Sequence, residues 1–517
     1  RGHGWRWKNY TSLVDPKKRR ETGGARKAGR QFFFIIPMER DARALITRVA
    51  AGRLGAEELE YFIGEVEKKK GDLATRICEE ADANMTRSPA YDEIGGEIAY
   101  EQLRAKCPPT FGAFLEVAGH LLLEYVREFA LSNIAAIEDE MTKCRCTPFG
   151  LGALQLLVQT YLTLPGFKEI VQLPEYMNMR VALSVHAGDL ETALAHYRML
   201  CAKEIIHATP TMSNGGLKSG GTASCFIFSA PKDDEDVVDM NREISKASLR
   251  GGGIGCSLSD VPHTGSMMPM KVAKQIASIA EQFRQNSRRA GAAAVYIDIW
   301  HPSVMELIDA VSTRASPDAS LGKVYLGIMV QDLFMKRYQE PDGTWTLMCP
   351  SECPDLAGLY GKAFEKRYLE YEAAGVGHSR VTAKALMDKI ALCILESGNP
   401  HIIFKDRCNL LSNQRNVGVI RSSNLCTEIM EVAVHGAPAS CNLASVSLPA
   451  TVEGGVFRRE KLERAVRMLV RSLNKIIDRS QGGPESAVAC NLKMRPLGIG
   501  VQGFGDMIGM CGYAFES

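Results

Sequence analysis

The chain has 517 residues, of which 45% are apolar, and a formal net charge of +2 at neutral pH. That length exceeds one ordinary core, so a large domain beside a smaller one is expected. The near-zero charge gives no bulk attraction to nucleic acid or to a membrane surface, and no apolar run is long enough to span a bilayer. No signal-peptide pattern opens the sequence, and its fifteen cysteines are scattered rather than framed, which suits a reducing, cytoplasmic setting. Two close pairs, Cys144/Cys146 and Cys349/Cys353, have neither a matching second pair nor neighbouring histidines, so no metal site is expected.

Residues 1–30 are rich in Gly, Arg and Lys and read as a basic, disordered tail. Phe32–Pro37 is a short apolar run, a candidate strand ended by proline. Residues 31–141 read as an N-terminal helical domain. Its clearest stretch is Ala113–Phe129, where apolar residues recur every three or four positions. From Pro148 to Leu200 the pattern is helices around short loops. Beyond that it alternates. Extended candidates are Cys225–Phe228, Val295–Trp300, Val324–Val330, Ile402–Lys405, Val417–Ile420, Leu443–Leu448 and Ile499–Gln502. Helices are expected between them, including Lys271–Gln285, Thr382–Glu396 and Lys461–Asp478. Strand–helix alternation predicts an α/β architecture built on a largely parallel sheet or barrel over 142–517.

Arg421–Ile429 draws attention because Asn424, Cys426 and Glu428 occupy every second position. In an extended strand these three face one way, while Leu425, Thr427 and Ile429 face the other. An amide, a thiol and a carboxyl on one wall suit a reacting sulfur, a proton-moving carboxylate and a group that holds a hydroxyl. The same spacing also fits a strand with a buried Cys and two solvated polar residues. Arg250–Gly255 carries four glycines whose backbone could approach a ligand closely and cradle a phosphate, though a tight turn explains them equally.

The neighbourhood of that segment carries a resemblance. Asn413–Ile429, followed by Cys441-Asn-Leu-Ala-Ser-Val446, closely resembles the large subunit of class I ribonucleoside-diphosphate reductases. The likeness extends to Ala208-Thr-Pro-Thr211, Ser224-Cys-Phe226, Tyr296–His301 and Arg495–Gly503, in the family's order. It implies a ten-stranded α/β barrel, partial in this chain, with the active-site cysteine on a finger loop. Ala81–Arg104 resembles the last part of the ATP cone, so the N-terminal helical region is expected to be a degenerate one.

The resemblance also implies roles. Cys426 would be the thiyl-radical residue, and Cys225 and Cys441 the dithiol that closes to a disulfide at each turnover. Glu428 would be the general base for the 3′-hydroxyl, and Asn424 would hold the sugar. Thr209, Ser224, Gly252, Asn424 and Leu425 would contact substrate, with Asp233 and Asp234 at the specificity-effector site. Implied partners are ribonucleoside diphosphates, ATP or dNTP effectors, a metal-containing small subunit that supplies the radical, thioredoxin or glutaredoxin as reductant, and a second copy of the chain. No cofactor is expected in this subunit itself.

Departures from the family pattern bear on the expectation. Pro262 and His263 stand where a basic residue is usual, and Met267–Met270 follows Ser266 directly in place of a Gly/Asn-rich loop. Arg288–Ala292 lacks the family's proline. The sequence opens on Arg1 and stops at Ser517, inside the expected barrel, before the family's phosphate-binding loop, relay tyrosines and terminal cysteine pair. The 517 residues alone are therefore expected to be inactive. The alternative reading is a catalytically inactive, reductase-like interaction protein. A reductase using adenosylcobalamin fits the Ser-Asn-Leu-Cys-Thr-Glu segment less well.

Overall fold

The computed structural model describes residues 42–146, 148–283, 291–316, 320–479 and 483–517. The basic opening, the Phe32–Pro37 strand, and most of Met38–Arg43 and Arg288–Ala292 lie outside those residues. Two compact units divide the chain: Arg1–Val117 with Thr147–Pro174, and Ala118–Cys146 with Glu175–Ser517.

The first unit is helical. Ala42–Ala50, Ala56–Lys68, Leu73–Asn84 and Pro89–Lys106 pack around Phe62, Ile77, Tyr91, Ile94 and Leu151. Local chemistry sets the helix starts. The Asp72 carboxylate accepts from Thr75 N at 3.1 Å, and Ser88 caps the helix whose first residue is Pro89.

Among the described residues, the second unit holds twelve strands in chain order. They are β1 (Ile205–His207), β2 (Cys225–Phe228), β3 (Gly253–Ser257), β4 (Ala293–Asp298), β5 (Val324–Val330), β6 (Thr344–Leu347), β7 (Ser379–Thr382), β8 (His401–Phe404), β9 (Ala439–Ser447), β10 (Val452–Glu453), β11 (Val456–Phe457) and β12 (Leu497–Gln502). Eight form one sheet, ordered β1-β9-β2-β3-β4-β5-β8, with β12 also paired to β9. From β2 through β3, β4 and β5 to β8 every pairing is parallel. β9 runs antiparallel to β1 and β2, and β12 runs parallel to β9. This open α/β sheet matches the expected partial barrel.

Its strands are apolar almost throughout because both faces are covered. Phe226, Phe228, Val295, Ile297, Leu326, Ile328 and Val330 enter one core with Ile244, Ile276, Leu307 and Ile390 from the surrounding helices. The intervening residues face the other way. Ala294, Tyr296, Met329 and Ile403 pack against Leu425 and Met430, and Cys225 and Ile227 pack with Ile429 and Cys441. So helices cover one face of the sheet, and the segment Ser412–Pro438 lies on the other.

That segment contains no strand beyond an isolated bridge between Val434 and Ala437. The strand expected at Val417–Ile420 does not form. A helix side chain takes the place of a neighbouring strand: Ile420 N donates to Asn409 Oδ1 at 2.8 Å, and Asn409 Nδ2 donates to the Ile420 carbonyl at 3.1 Å. Room for the segment comes from missing side chains. A Cβ at Gly255 would stand 1.8 Å from the Ser423 carbonyl oxygen, and one at Gly327 would stand 2.2 Å from the Tyr296 ring.

A buried ion pair joins the carboxyl ends of three parallel strands. Lys405, just after β8, donates to both Asp298 oxygens at 2.9 and 3.0 Å and to the Ala357 carbonyl at 2.9 Å. Gln331, just after β5, also donates to Asp298, the last residue of β4. Both charged side chains are fully buried. Pairing and added hydrogen bonds offset their desolvation only while both are present.

Lys405→Met is therefore expected to cost about 3–5 kcal/mol, with part of the loss recovered in Asp298→Asn/Lys405→Met, as measured by chemical denaturation. Gly255→Ala is expected to cost about 1–3 kcal/mol by overpacking. It should also speed limited proteolysis within 412–438. Unchanged cleavage there would show that the segment does not rest on Gly255.

Candidate active site

The site is built where the Ser412–Pro438 segment crosses β2, β4 and β9. Cys225 opens β2 and Cys441 lies directly opposite it on antiparallel β9. Both are buried. The Ser224 hydroxyl stands 4.0 Å from the Cys441 sulfur. Two cysteines separated by most of the barrel sequence are thus cross-strand neighbours.

Asn424 links this pair to the loop. Its side chain is fully buried, and Nδ2 donates to Cys225 Sγ at 3.1 Å and to Glu428 Oε1 at 2.8 Å. Its Oδ1 accepts from Glu428 N and Ile429 N, both at 3.1 Å. One amide therefore contacts a thiol, a carboxylate and the backbone that follows it.

Asn424, Cys426 and Glu428 do not share a strand face, which corrects the extended reading of this stretch. Residues 425–427 form a turn in which Thr427 takes a left-handed φ of 70°. The reason lies outside the local pattern. Thr427 Oγ1 is held at 2.9 Å from the Tyr296 hydroxyl and 2.6 Å from His401 Nδ1, and the Tyr296 hydroxyl also donates to the Asn424 carbonyl. The turn still brings Asn424 and Glu428 together, while Cys426 stands exposed on it. Leu425 points to the sheet, where a Cβ at Gly253 would meet its Cβ at 3.1 Å.

The electrostatics of the thiol pair follow from donors and burial. The Cys441 S–H, helped by donors on Ser224 and Asn424, holds Cys225 below the usual thiol range despite burial. Cys441, which gives the proton, is pushed well above it, with burial adding to the shift. The two thiols are thus driven apart in acidity, with Cys225 the easier of the pair to ionise.

Other expected site residues have more local roles. Thr209 begins the helix Thr209–Asn214, and Ala208 N donates to Leu443 O on β9 at 3.0 Å, which brings this turn to the strand that carries Cys441. A Cβ at Gly252 would lie 2.3 Å from the Phe226 ring, so the space beside this glycine is filled by the protein itself. Asp233 caps the helix Asp234–Leu249, accepting from Asp236 N at 2.8 Å. Asp234 accepts from Ser266 Oγ at 3.3 Å. Both carboxylates are exposed at that helix start.

Sequence reasoning missed Glu431, Tyr296, Thr427 and His401. Burial, reinforced by charge at Cys225, pushes the Glu431 carboxyl up to about 8, and this charge in turn acts on Cys441 and Cys490. Only its place three residues after Glu428 could have drawn attention to it.

Comparisons with known proteins agree with this architecture. The family model described as ribonucleotide reductase, barrel domain, matches residues 223–517, and the one described as ribonucleotide reductase, all-alpha domain, matches residues 147–220. The ribonucleoside-diphosphate reductase large subunit of vaccinia virus is 32% identical over 476 residues, covering 86% of this chain and 60% of that protein. The large chain from Cryptosporidium parvum is 35% identical over 412 residues, 77% of this chain and 51% of its own length. That from Neurospora crassa is 37% identical over 353 residues, 65% of this chain and 38% of its own. The chain thus spans between about two fifths and three fifths of the length of these relatives. With the barrel-domain match covering more than half of its residues, the chain belongs to the ribonucleotide reductase family, among the large subunits of the class I enzymes.

Proposed function

We propose that the protein reduces ribonucleoside diphosphates to 2′-deoxyribonucleoside diphosphates, and that Cys426, Glu428, Asn424, Cys225 and Cys441 carry the chemistry. What supports this most is the Asn424 amide, which contacts the Cys225 sulfur and the Glu428 carboxylate at once. Replacing the 2′-hydroxyl by hydrogen consumes two electrons, which the dithiol gives up as it closes to a disulfide. The hydroxyl leaves as water.

Cys426, exposed on its turn, is the sulfur that takes hydrogen from the sugar as a transient radical. Glu428, anchored through one oxygen by Asn424, accepts the 3′-hydroxyl proton with the other. Thr209, Ser224, Gly252 and Leu425 border the substrate. The radical comes from a metal-containing small subunit, and thioredoxin or glutaredoxin restores the dithiol. A homodimer in the cytoplasm is the working assembly; among the described residues no helix is long and apolar enough to cross a membrane. At Asp233 and Asp234 the effector reading is narrower. Their carboxylates accept from sugar hydroxyls or base amines and repel phosphate, so a nucleotide effector would meet this turn through its nucleoside end.

Tested in the whole protein, Cys426→Ser should reduce deoxynucleotide formation to background while diphosphate binding by calorimetry is kept. Cys225→Ser or Cys441→Ser should end multiple-turnover reduction. Normal turnover in any of the three would overturn the role given to that residue.

Glu431 yields a pH test. An unfolded chain ionises this carboxyl near 4.5, whereas the fold keeps its proton up to about 8. The unfolded state therefore sheds the proton first, and the fold loses stability as pH rises through that window. Glu431→Gln removes the effect, so its stability relative to the parent should increase from pH 5 to pH 8 in urea titrations. A constant difference across that range would refute the burial of this carboxyl.

A further inference from the structure

A second pair of sulfurs lies on elements that carry none of the residues above. Cys146 Sγ stands 3.2 Å from Cys201 Sγ. Cys201 ends the helix Leu190–Cys201 and is fully buried, while Cys146 follows the helix Ile134–Lys143 and is partly buried, as is Cys144. Positions 146 and 201 are 55 residues apart, and no local pattern joins them.

The two segments are held together independently of the sulfurs. Arg198 makes a two-pronged ion pair with Glu140, Nε to Oε1 at 2.7 Å and Nη2 to Oε2 at 2.6 Å. Tyr197 donates its hydroxyl to the Cys144 carbonyl at 2.9 Å. Asn178, from the helix Pro174–His186, aims its amide at both sulfurs, 3.3 Å from Cys146 and 3.5 Å from Cys201. The pair is therefore fixed by neighbours on three helices, and only about 1.2 Å separates its sulfur spacing from a covalent bond of roughly 2.0 Å.

We propose that Cys146 and Cys201 form a second, reversible thiol–disulfide couple that closes under peroxide and ties the segment after Ile134–Lys143 to the helix Leu190–Cys201. The Cys146 S–H donates to Cys201, which holds Cys201 below the usual thiol range, with the Asn178 amide adding to the effect against burial. Cys146 is pushed correspondingly up. Two thiols in contact, one of them made easier to ionise by the other, are arranged to close to a disulfide.

The chemistry balances with one hydrogen peroxide. One sulfur attacks a peroxide oxygen; an S–O bond forms as O–O breaks, and the departing hydroxide takes a proton to become water. The second sulfur then attacks the first; S–S forms as S–O breaks, and that hydroxide takes the other proton. Two thiols lose two electrons and two protons, and the peroxide becomes two waters. A dithiol such as dithiothreitol reverses the outcome by exchange. The end of Leu190–Cys201 leads through residues 202–204 to β1, which pairs with β9 beyond Cys441, so the tie lies on the chain path to the active-site sheet.

The experiment reads the bond itself and does not depend on the proposed activity. The intact protein is treated with hydrogen peroxide, its remaining thiols are blocked with N-ethylmaleimide, and it is digested without reduction for mass spectrometry. The expected result is a Cys146–Cys201 cross-linked peptide that appears with peroxide and is lost with dithiothreitol. It should be absent from Cys201→Ser, with Cys146 then alkylated. Both cysteines remaining alkylatable in the parent protein would overturn the proposal. So would a dominant Cys144–Cys146 or Cys144–Cys201 cross-link, or oxidation of either sulfur beyond the sulfenic state without a cross-link.

Discussion

A single buried amide holds the site in register. Asn424 has two N–H groups, and they reach the Cys225 sulfur on the sheet and the Glu428 carboxylate on the loop. Its oxygen accepts from the backbone nitrogens of Glu428 and Ile429, farther along the loop. A buried amide stripped of these partners would leave polar groups unsatisfied, each costing about 1–3 kcal/mol. Loop position, carboxylate position and thiol environment are consequently one problem with one solution.

That solution requires a sheet able to accept a loop on its inner face. The outward residues of β2, β4 and β5 are large and meet helices, whereas Gly255, Ala294 and Gly327 face inward with little or no side chain. The Ser423 carbonyl occupies the space that a side chain at Gly255 would fill. The glycine run that reads as a ligand cradle serves first to admit the protein's own backbone. At the strand ends the buried Lys405–Asp298 pair performs a complementary task, fixing where β4, β5 and β8 stop relative to one another.

Much of this was legible in the sequence, because parallel strands buried on both faces leave continuous apolar runs. Cys225–Phe228 and Val324–Val330 form strands with the expected limits, and the helix expected at Lys461–Asp478 spans Arg459–Asp478. The family could be recognised from motifs in order. The misreadings share a cause. Val417–Ile420 has strand composition, yet Asn409 satisfies Ile420 from a helix. Asn424–Glu428 alternates like a strand, yet Tyr296 and His401 draw Thr427 into a left-handed turn. Partners on other elements, from Asn409 11 residues before Ile420 to Tyr296 131 residues before Thr427, leave no trace in a local pattern. Glu431 escaped for the same reason, since its unusual carboxyl depends on Cys225 and on burial.

The shared amide also has a temporal side. A charged sulfur is a stronger acceptor than a neutral one. Under the proposed function Cys225 closes a disulfide and becomes a weaker acceptor, so its pull on Asn424 would weaken while the pull of Glu428 remains. The loop would then rest differently until the dithiol is restored, and under that proposal the architecture would carry a short-lived memory of the last oxidation.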